Sequence, residues 1–495
     1  MKLQDLFQQF TCDLGLLGST EATSICFDSR KLTKGCVFIA IRGAKSDGHQ
    51  FLVQAAEKGA VALVIEDRSR VAADYKGAVV TVKDARQALN ILAAKFFGEP
   101  GRNLFCIGVT GTNGKTSITL LSEAILDYAG TSTGVIGTID SHLGKKVWPT
   151  ELTTPDPLQL QQTLAEFRAA GARAVAMEVS SIGLVQSRSD AVPFDVAIFT
   201  NLSRDHLDYH GDMESYFQAK RKLFSTLLPN SGKAEAVAVI NADDDYGQRL
   251  IEEKASRIWT YGLSESCDLA ITPLDQGFFG SRFRLKTPRG SQDFQIRSPG
   301  LHNVYNTTAA IGASLACGVS LNNAASALLK FPGVRGRLES VENTKDLHVF
   351  VDYAHTNGAL ETVLRQLNVI RDVSMAKNKI ITVFGCGGDR DRGKRPLMMK
   401  AAAEGSDLVV LTSDNPRHEA PEAILKEALQ GASAADIGKR IFSILDRRQA
   451  LAQAFELAQP GDVVLIAGKG HETYQQIGDV KHPFDDVSVA KELLN

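Results

Sequence analysis

The chain has 495 residues, which is enough for about three domains that each bury a core of their own. It carries 55 Lys and Arg against 57 Asp and Glu, and this formal net charge of -2 argues against binding to nucleic acid or membranes by bulk positive charge. Its seven cysteines are scattered and form no CxxC pair, which argues against a disulfide scaffold or a zinc module and indicates a reducing compartment.

The start of the chain shows no apolar leader, and no uncharged stretch is apolar enough to cross a bilayer. We therefore expect a soluble, cytoplasmic protein. Two stretches rich in Pro and Gly, at residues 97–101 and 331–336, interrupt the helical and strand patterns. They predict domains over residues 1–98, 99–335 and 336–495.

Short apolar runs alternate with helical patterns in the two longer segments, which indicates buried parallel strands and an α/β fold class. Six such runs stand out, at residues 104–109, 174–177, 196–200, 380–384, 408–412 and 463–467. Ligands of open α/β sheets bind beyond the carboxyl ends of the strands. We therefore expect the functional side chains in the loops that follow these runs.

The strongest motif is a glycine loop that follows the first of these strands and precedes a helical pattern. It reads Gly111-Thr112-Asn113-Gly114-Lys115-Thr116-Ser117. Backbone N–H groups of such a loop can surround phosphate oxygens, with Lys115 at the β- and γ-phosphates and the Thr116 hydroxyl on Mg²⁺. The strict pattern has glycine five places before Gly114, where this chain has Val109. The strand, loop and helix together still predict a nucleoside triphosphate site.

Acidic and histidine side chains follow the next two predicted strands. Glu178 ends the run at 174–177, and His206 and Asp208 follow the run at 196–200. An acid or a histidine taken singly is more often solvated or satisfied, but this shared placement makes these residues candidates for binding metal or phosphate. Lys220 has the pattern of an ordinary exposed helix cation.

Several motifs occur in an order that resembles the Mur ligases, the ATP-dependent amide-forming enzymes of peptidoglycan precursor synthesis. Besides the glycine loop they are Glu-Val-Ser-Ser at 178–181, the run 201–210, Gly-Leu-His-Asn-Val-Tyr-Asn at 300–306 and Asp-Tyr-Ala-His-Thr at 352–356. Further motifs resemble the branch of this family that adds the third amino acid. They are Phe-Asp-Ser-Arg at 27–30, Gly-Cys-Gly-Gly-Asp-Arg at 385–390, Asp-Asn-Pro-Arg at 414–417 and Gly-Lys-Gly-His-Glu at 468–472.

The resemblance implies an N-terminal α/β domain that binds a uridine nucleotide, a central P-loop ATPase with a parallel sheet and a C-terminal Rossmann-like domain. It implies a ligase that joins meso-diaminopimelate to the D-Glu of UDP-N-acetylmuramoyl-L-alanyl-D-glutamate through an acyl phosphate. ATP is the implied co-substrate, released as ADP and phosphate, and Mg²⁺ is the implied cofactor. We expect small-molecule partners only, no nucleic acid or membrane insertion, and a monomer that serves cell-wall synthesis, cell shape and division.

The resemblance also assigns residues to each site, position by position. Contacts to the UDP-sugar dipeptide fall on Phe27, Ser29, Ala44, Lys45, Ser46, Leu152, Thr153, Thr154, Ser180, Gln186 and Arg188. Contacts to ATP fall on the glycine loop and on Asn303, Asn306, Arg337 and Asp352. The amino-acid pocket falls on Arg390, Asp414, Asn415, Pro416, Arg417, Gly468 and Glu472. Metal binding falls on Thr116, Glu178, His206 and a carbamylated Lys220, and catalysis on Lys115, Lys220, His206 and Glu178.

The charged run around Arg390, residues 389–395, is typical of a solvated surface, so Arg390 is assigned by resemblance alone. Three positions depart from the family pattern. Ile182 replaces a histidine, Leu152 replaces an asparagine, and Asn357-Gly358 replaces Pro-Asp. These departures concern local contacts and remove no residue that we assign to catalysis.

Three alternatives remain beside the ligase that adds meso-diaminopimelate. Two are related enzymes, a lysine-adding Mur ligase and a folylpolyglutamate-synthase-like ligase, and the motifs at 28–30 and 414–417 argue against both. The third is an inactive nucleotide-binding regulatory protein, which the isoleucine at 182 suggests. The intact set of predicted catalytic residues argues against this third alternative.

Overall fold

The computed structural model describes residues 1–43, 46–373 and 378–495, and these residues fall into two units. The first unit comprises residues 1–270, 286–290 and 306–324, and the second comprises residues 271–285, 291–305 and 325–495 within the described ranges. Ala44 and Lys45, both assigned to the UDP-sugar, lie outside the described residues.

The N-terminal part of the first unit is a four-stranded parallel sheet with flanking helices. Its elements are α1 (Leu3–Leu6), β1 (Ser24–Cys26), β2 (Cys36–Ile39), α2 (Leu52–Glu57), β3 (Ala62–Ile65), β4 (Ala78–Thr81) and α3 (Ala85–Phe96). The strand order is β1-β2-β3-β4, and each neighbouring pair is parallel. All residues of β2 and β3 are buried, as expected for strands covered on both faces.

The remainder of the first unit forms around a larger sheet. Its elements are β5 (Phe105–Thr110), α4 (Lys115–Tyr128), β6 (Thr133–Ile136), β7 (Ser141–Leu143), β8 (Lys146–Trp148), α5 (Pro157–Ala169), β9 (Ala174–Glu178), α6 (Ser181–Val185), β10 (Val196–Phe199), α7 (Leu207–His210), α8 (Met213–Lys222), β11 (Val237–Asn241), α9 (Asp245–Glu253) and β12 (Arg257–Gly262). The order is β12-β11-β10-β5-β9-β6-β7-β8, parallel from β12 to β6 and antiparallel from β6 to β8.

The register of this sheet brings three strand ends together. Phe199 in β10 pairs with Thr110 in β5, and Val109 in β5 pairs with Glu178 in β9. The glycine loop follows β5 directly, so it leaves the sheet between two strands whose carboxyl ends carry predicted site residues. This edge of the sheet is where the first unit brings predicted site residues together.

Five elements include residues of both units: β13 (Leu269–Gly277), β14 (Gly280–Thr287), β15 (Gly290–Ile296), α10 (Leu301–Ala316) and α11 (Leu321–Lys330). The other elements belong to the second unit. They are β16 (Glu339–Val341), β17 (His348–Asp352), α12 (Asn357–Val373), β18 (Ile380–Cys386), α13 (Lys394–Gly405), β19 (Leu408–Ser413), α14 (Pro421–Leu429), β20 (Ile441–Ser443), α15 (Arg447–Leu457), β21 (Val463–Ala467), β22 (Tyr474–Ile477), β23 (Val480–Pro483) and α16 (Asp486–Leu494).

The second unit is organised by a six-stranded sheet of order β16-β17-β21-β18-β19-β20. Its strands are parallel except for the edge strand β16. Strands β22 and β23 form a separate antiparallel hairpin. Apolar side chains on both faces of the sheet form the core of this unit, with Phe384 on one face and Ile466 on the other.

The structure confirms the α/β fold class and all six predicted strands, which are β5, β9, β10, β18, β19 and β21. Their ends differ from the predicted ends by at most two residues, because a run of apolar residues does not mark where pairing stops. The domain boundaries stay a prediction. No helix within the described residues combines the length and apolarity that a bilayer span requires.

Candidate active site

The glycine loop has the backbone geometry of a tight anion-binding turn. Gly111 has φ +147° and Gly114 has φ +89°, a region that residues with a Cβ rarely adopt. A Cβ at Gly114 would also overlap the Oδ1 atom of Asn306, which lies directly beside the loop. Two hydrogen bonds anchor Asn113, since its N–H donates to Asn201 Oδ1 at 3.0 Å and its carbonyl accepts from Thr200 at 2.7 Å. The loop is therefore held in place from β10.

Lys115 is the first residue of α4 and its side chain folds back over the loop. Its Nζ donates to the carbonyls of Gly111 at 3.0 Å and Thr112 at 2.8 Å. The ammonium group thus lies against the same backbone whose N–H groups would surround the phosphates. This is the position that the motif predicts for a lysine that contacts the β- and γ-phosphates.

Thr116 and Glu178 form the pair that could hold a magnesium ion. The Thr116 hydroxyl donates to Glu178 Oε1 at 2.8 Å, and both side chains are buried. Thr138 donates to the same carboxylate through its N–H at 2.8 Å and through its hydroxyl at 3.0 Å. A hydroxyl and a carboxylate are oxygen ligands of the kind that Mg²⁺ prefers, so these two residues fit the ion.

The contacts of His206 involve other residues than Thr116 and Glu178. It has φ +52° and is half exposed, and its Nε2 is 3.6 Å from Asp205 Oδ2. Its ring is 6.3 Å from the ring of Tyr216. Asp208 is exposed on α7. Across residues 1–43, 46–373 and 378–495, no three His, Cys, Asp or Glu side chains are placed to hold a metal ion together.

The structure corrects the prediction that Lys220 is an exposed cation, because the residue is only 1% exposed. Its Nζ donates to the Gly111 carbonyl at 2.8 Å and lies 4.6 Å from the centre of the Tyr216 ring. Burial lowers the pKa of Lys220 well below its ordinary value, and the positive charge of Lys115 lowers it further. The sequence held a signal for this burial, since Lys220 follows Tyr216 by four residues and Phe217 by three, on the apolar face of α8.

Four residues assigned to the UDP-sugar dipeptide form one hydrogen-bonded group. Thr154 Oγ1 donates to the Glu178 carbonyl at 2.9 Å, and the Ser180 N–H donates to Thr154 Oγ1 at 2.9 Å. Arg188 donates to the Thr154 carbonyl at 2.9 Å and to Gln186 Oε1 at 2.7 Å. The structure therefore brings this part of the predicted set beside the end of β9.

The other residues of that set have separate surroundings. Thr153 shares a hydrogen bond with Thr138 at 3.0 Å, and Leu152 is 42% exposed. Phe27 is half-buried against the core of the N-terminal sheet, Ser29 starts a short turn, and Ser46 accepts a hydrogen bond from Gln50. These three lie in loops of the N-terminal sheet.

Two of the residues assigned to ATP, Arg337 and Asp352, lie close together at the end of β17. Asp352 is buried and accepts from the N–H groups of Leu338 and Ala354, both at 2.8 Å. Burial raises the pKa of Asp352, while the nearby Arg337 acts in the opposite direction. The Arg337 guanidinium lies 5.0 Å from the centre of the Tyr353 ring. Asn303 is buried and donates to the Pro299 carbonyl at 2.8 Å.

The predicted amino-acid pocket contains two groups of opposite charge. On one side, Arg417 Nη1 donates to the Gly388 carbonyl at 2.7 Å, and Arg390 lies beside the neighbouring Gly387. On the other side, Asp414 is buried beside Gly468, and the Asn415 amide donates to Glu472 Oε2 at 2.8 Å. Pro416, which stands between Asn415 and Arg417 in the sequence, is buried.

Three family models match successive parts of the chain. The Mur ligase family catalytic domain matches residues 21–97, the Mur ligase middle domain matches residues 109–314, and the Mur ligase glutamate ligase domain matches residues 336–470. A protein of Geobacillus thermodenitrificans named UDP-N-acetylmuramoyl-L-alanyl-D-glutamate–2,6-diaminopimelate ligase is 44% identical over 495 residues, covering 99% of both chains. The chain belongs to the Mur ligase family.

Two further Mur ligase relatives extend this finding. A protein of the same name from Geobacter sulfurreducens is 43% identical over 480 residues, covering 94% of this chain and 93% of its own length. A solved structure of a ligase with that name has 36% identity and a TM-score of 0.75, covering 100% of this chain and 98% of the other. The chain therefore has the three-domain Mur ligase architecture over its full length.

The sequence analysis missed several buried cations of this Mur ligase, among them Lys469 and Arg395. Lys469 is 0% exposed beside Asp414, Asn415 and Glu472. Arg395 is also 0% exposed, although its charged run was expected to be solvated, and it pairs with Glu419 at 2.7 Å. A run of charged residues in the sequence does not reveal which side chain is buried. The burial of Arg395 depends on Glu419, which is 24 residues away in the chain.

The isoleucine at 182, which departs from the Mur ligase pattern, is half-buried on α6. A histidine nevertheless lies beside the serine pair, since His210 Nε2 and Ser181 Oγ are 2.9 Å apart. Burial lowers the pKa of His210, so its neutral form is favoured there. Although residue 182 is isoleucine, an imidazole therefore still contacts Ser181.

Proposed function

We propose that this chain joins meso-diaminopimelate to the D-Glu of UDP-N-acetylmuramoyl-L-alanyl-D-glutamate with hydrolysis of ATP to ADP and phosphate. The observation that supports this most is the full-length similarity to Mur ligases whose names state that reaction. The glycine loop, Lys115 and the Thr116–Glu178 pair supply a site for ATP that suits it. The cytoplasmic location and the monomeric state stay predictions.

The chemistry requires activation, because a carboxylate has no leaving group that water-soluble amines can displace. A carboxylate oxygen of D-Glu attacks the γ-phosphorus of ATP, the bond from that phosphorus to the bridging oxygen breaks, and ADP leaves. The amine of the amino acid then attacks the acyl carbon and gives up a proton. Phosphate departs with the electrons of the carbon–oxygen bond, and the amide remains.

Two anions must approach each other in the first step, so positive charge and positioning carry most of the catalysis. Lys115 supplies one charge at the glycine loop. The Thr116 hydroxyl and the Glu178 carboxylate would hold Mg²⁺, which when bound neutralises phosphate charge. The loop N–H groups orient the phosphates, since Gly111 and Gly114 allow the backbone to approach them closely.

Lys220 is suited to carbamylation because its amine is buried and its pKa is lowered. A neutral amine can attack carbon dioxide: the nitrogen–carbon bond forms, a proton leaves to solvent, and a carbamate anion results. That anion would place negative charge beside Gly111 and near Lys115, where the amine of Lys220 lies. An anion at this point can bind a metal ion and hold Lys115 in place.

Replacing Lys220 with alanine should therefore remove most activity, by about 10²-fold or more, since the anion beside the loop is lost. Added acetate should restore part of it by occupying the vacated space with a carboxylate. Steady-state phosphate release with and without acetate measures both effects. Arg221→Ala is the matched control, because Arg221 is the next residue of α8 and pairs with Glu253 at the surface. An intact mass that shows a plain amine in the active wild-type enzyme, recorded on the folded protein at neutral pH so that the acid-labile carbamate is kept, would contradict the carbamate.

The proposed reaction itself is tested by phosphate release from the wild-type chain with ATP and Mg²⁺. We expect release only when UDP-N-acetylmuramoyl-L-alanyl-D-glutamate and meso-diaminopimelate are both present. Equal or faster release with lysine would identify a lysine-adding ligase instead. No release with any amino acid, despite ATP binding, would favour the regulatory alternative.

A further inference from the structure

Lys469 is a fully buried lysine for which neither the motifs nor the proposed chemistry provide a role. It follows β21, between Gly468 with φ +111° and Gly470 with φ +53°, and its side chain is 0% exposed. Burying an ammonium group is costly unless acceptors and opposite charge surround it. Its partners therefore show what the residue does.

Each hydrogen-bond partner of Lys469 belongs to the predicted amino-acid pocket. Its Nζ lies 3.3 Å from Asp414 Oδ1, 3.1 Å from Asn415 Oδ1 and 3.3 Å from Glu472 Oε2. An ammonium group has three donors, and here it meets three acceptors. These bonds engage one oxygen of each carboxylate, and they join side chains that follow two different strands, β19 and β21.

The bonds around Lys469 also fix the orientation of the Asn415 amide. Its Oδ1 accepts from Lys469 and from the Gln476 N–H at 2.8 Å, while its Nδ2 donates to Glu472 Oε2 at 2.8 Å. Reversing the amide would set its NH₂ group against two donors. The ammonium group of Lys469 therefore acts together with the Gln476 N–H and the Glu472 carboxylate in fixing the orientation of Asn415.

Lys469 also reduces the net negative charge of the pocket. Asp414 and Glu472 carry two negative charges, and the ammonium reduces the sum to -1. Arg447, another buried cation of this unit, pairs with Asp486 at 2.7 Å and so is already balanced. Without Lys469 the two carboxylates would repel each other in a buried space, and their separation would change.

We infer that Lys469 is a positioning residue that acts as the internal counter-ion of the amino-acid pocket, holding Asp414, Asn415 and Glu472 in the arrangement that receives the incoming amino acid. The inference rests on the proposed function for the identity of that amino acid. It assigns Lys469 no contact with the reacting atoms. Its effect should therefore appear in amino-acid binding before it appears in the chemistry.

The test compares Lys469→Met with Lys481→Met, using phosphate release to measure KM for each substrate. The Tyr474 ring centre lies 5.7 Å from Lys469 Nζ and 4.2 Å from Lys481 Nζ. The control therefore removes a lysine near the same ring, but from the exposed strand β23. We expect Lys469→Met to raise KM for meso-diaminopimelate at least about 30-fold, with KM for ATP and for the UDP-dipeptide unchanged. The control should match the wild type. An unchanged KM for the amino acid, or an equal rise for all three substrates, would overturn the inference.

A second measurement tests the role of Lys469 even if the Lys469→Met variant folds poorly. The double variant Lys469→Met/Glu472→Gln restores the pocket charge to -1, so its melting temperature should exceed that of Lys469→Met alone. Failure of the double variant to regain stability would mean that the lysine acts by packing, and the counter-ion role would be wrong. If the wild type releases no phosphate with meso-diaminopimelate, the proposed function fails, whereas the melting temperatures still decide the role of Lys469.

Discussion

Lys115→Ala should reduce turnover by about 10³-fold while the protein still folds. The ammonium group lies at 3.0 Å and 2.8 Å from the Gly111 and Thr112 carbonyls, so it is already placed at the loop before ATP arrives. Its charge offsets negative charge that moves onto the bridging oxygen as the phosphoryl group transfers. Removing one such preorganised group typically costs 10²–10³-fold in turnover, and a full positive charge belongs at the upper end of that range.

The fall should appear in kcat more than in the KM for ATP, because the loop N–H groups still bind the phosphates. The rate of phosphate release at saturating concentrations of all substrates gives kcat. A thermal unfolding curve shows whether the variant is folded. Lys146→Ala is a suitable control, since Lys146 is an exposed residue of β8. A Lys115→Ala enzyme with normal melting behaviour and turnover close to the wild type would refute the assigned role.

The sequence predicted the parts of this molecule that depend on local pattern. The strands β5, β9 and β10 are short apolar runs, and their type follows from side chains within each run. The glycine loop was recognisable for the same reason, because its turn, its lysine and the start of α4 are adjacent in the chain. Parallel pairing then placed Glu178 at the loop, as the position after a strand predicts.

The parts that the sequence did not reveal depend on partners far away in the chain. Lys220 contacts the carbonyl of Gly111, which is 109 residues earlier, so its burial is a tertiary property. Lys469 meets Asp414 and Asn415, which are 55 and 54 residues earlier. Tyr216 and Phe217 on the same face of α8 signal the burial of Lys220, but only the fold supplies the acceptors that make the burial of either lysine possible.

Arg417 is held in an unusual backbone conformation that aims its guanidinium group. Its φ is +50°, a left-handed value that costs about 1 kcal/mol or more for a residue with a side chain. The hairpin holds it there, because its N–H donates to the Gln476 carbonyl at 3.1 Å and its carbonyl accepts from Gly478 at 2.7 Å. The guanidinium then reaches the turn at Gly387 and Gly388, where a Cβ on Gly387 would lie 3.0 Å from Nη1.

This placement leads to a prediction about substrate choice. Meso-diaminopimelate differs from lysine by one carboxylate on its distal carbon, and the planar fork of Arg417 can bind a carboxylate through two parallel charged hydrogen bonds. Lysine lacks that group, so in a closed pocket it would leave the guanidinium of Arg417, which is half-buried, without a carboxylate partner. Sites that hydrogen-bond a substrate group reject an analogue without it by roughly 10⁴–10⁵-fold.

Arg417→Ala should therefore lower kcat/KM for meso-diaminopimelate by several orders of magnitude and leave the slow use of lysine nearly unchanged. Arg417→Lys should recover little, because an ammonium group offers one point charge where the carboxylate needs two parallel donors. Arg448→Ala, which removes an exposed arginine of the same unit, should keep the wild-type preference. The decisive quantity is the ratio of kcat/KM for the two amino acids, since a general loss of folded enzyme lowers both values equally. An alanine variant that retains the full ratio would show that another group selects the distal carboxylate.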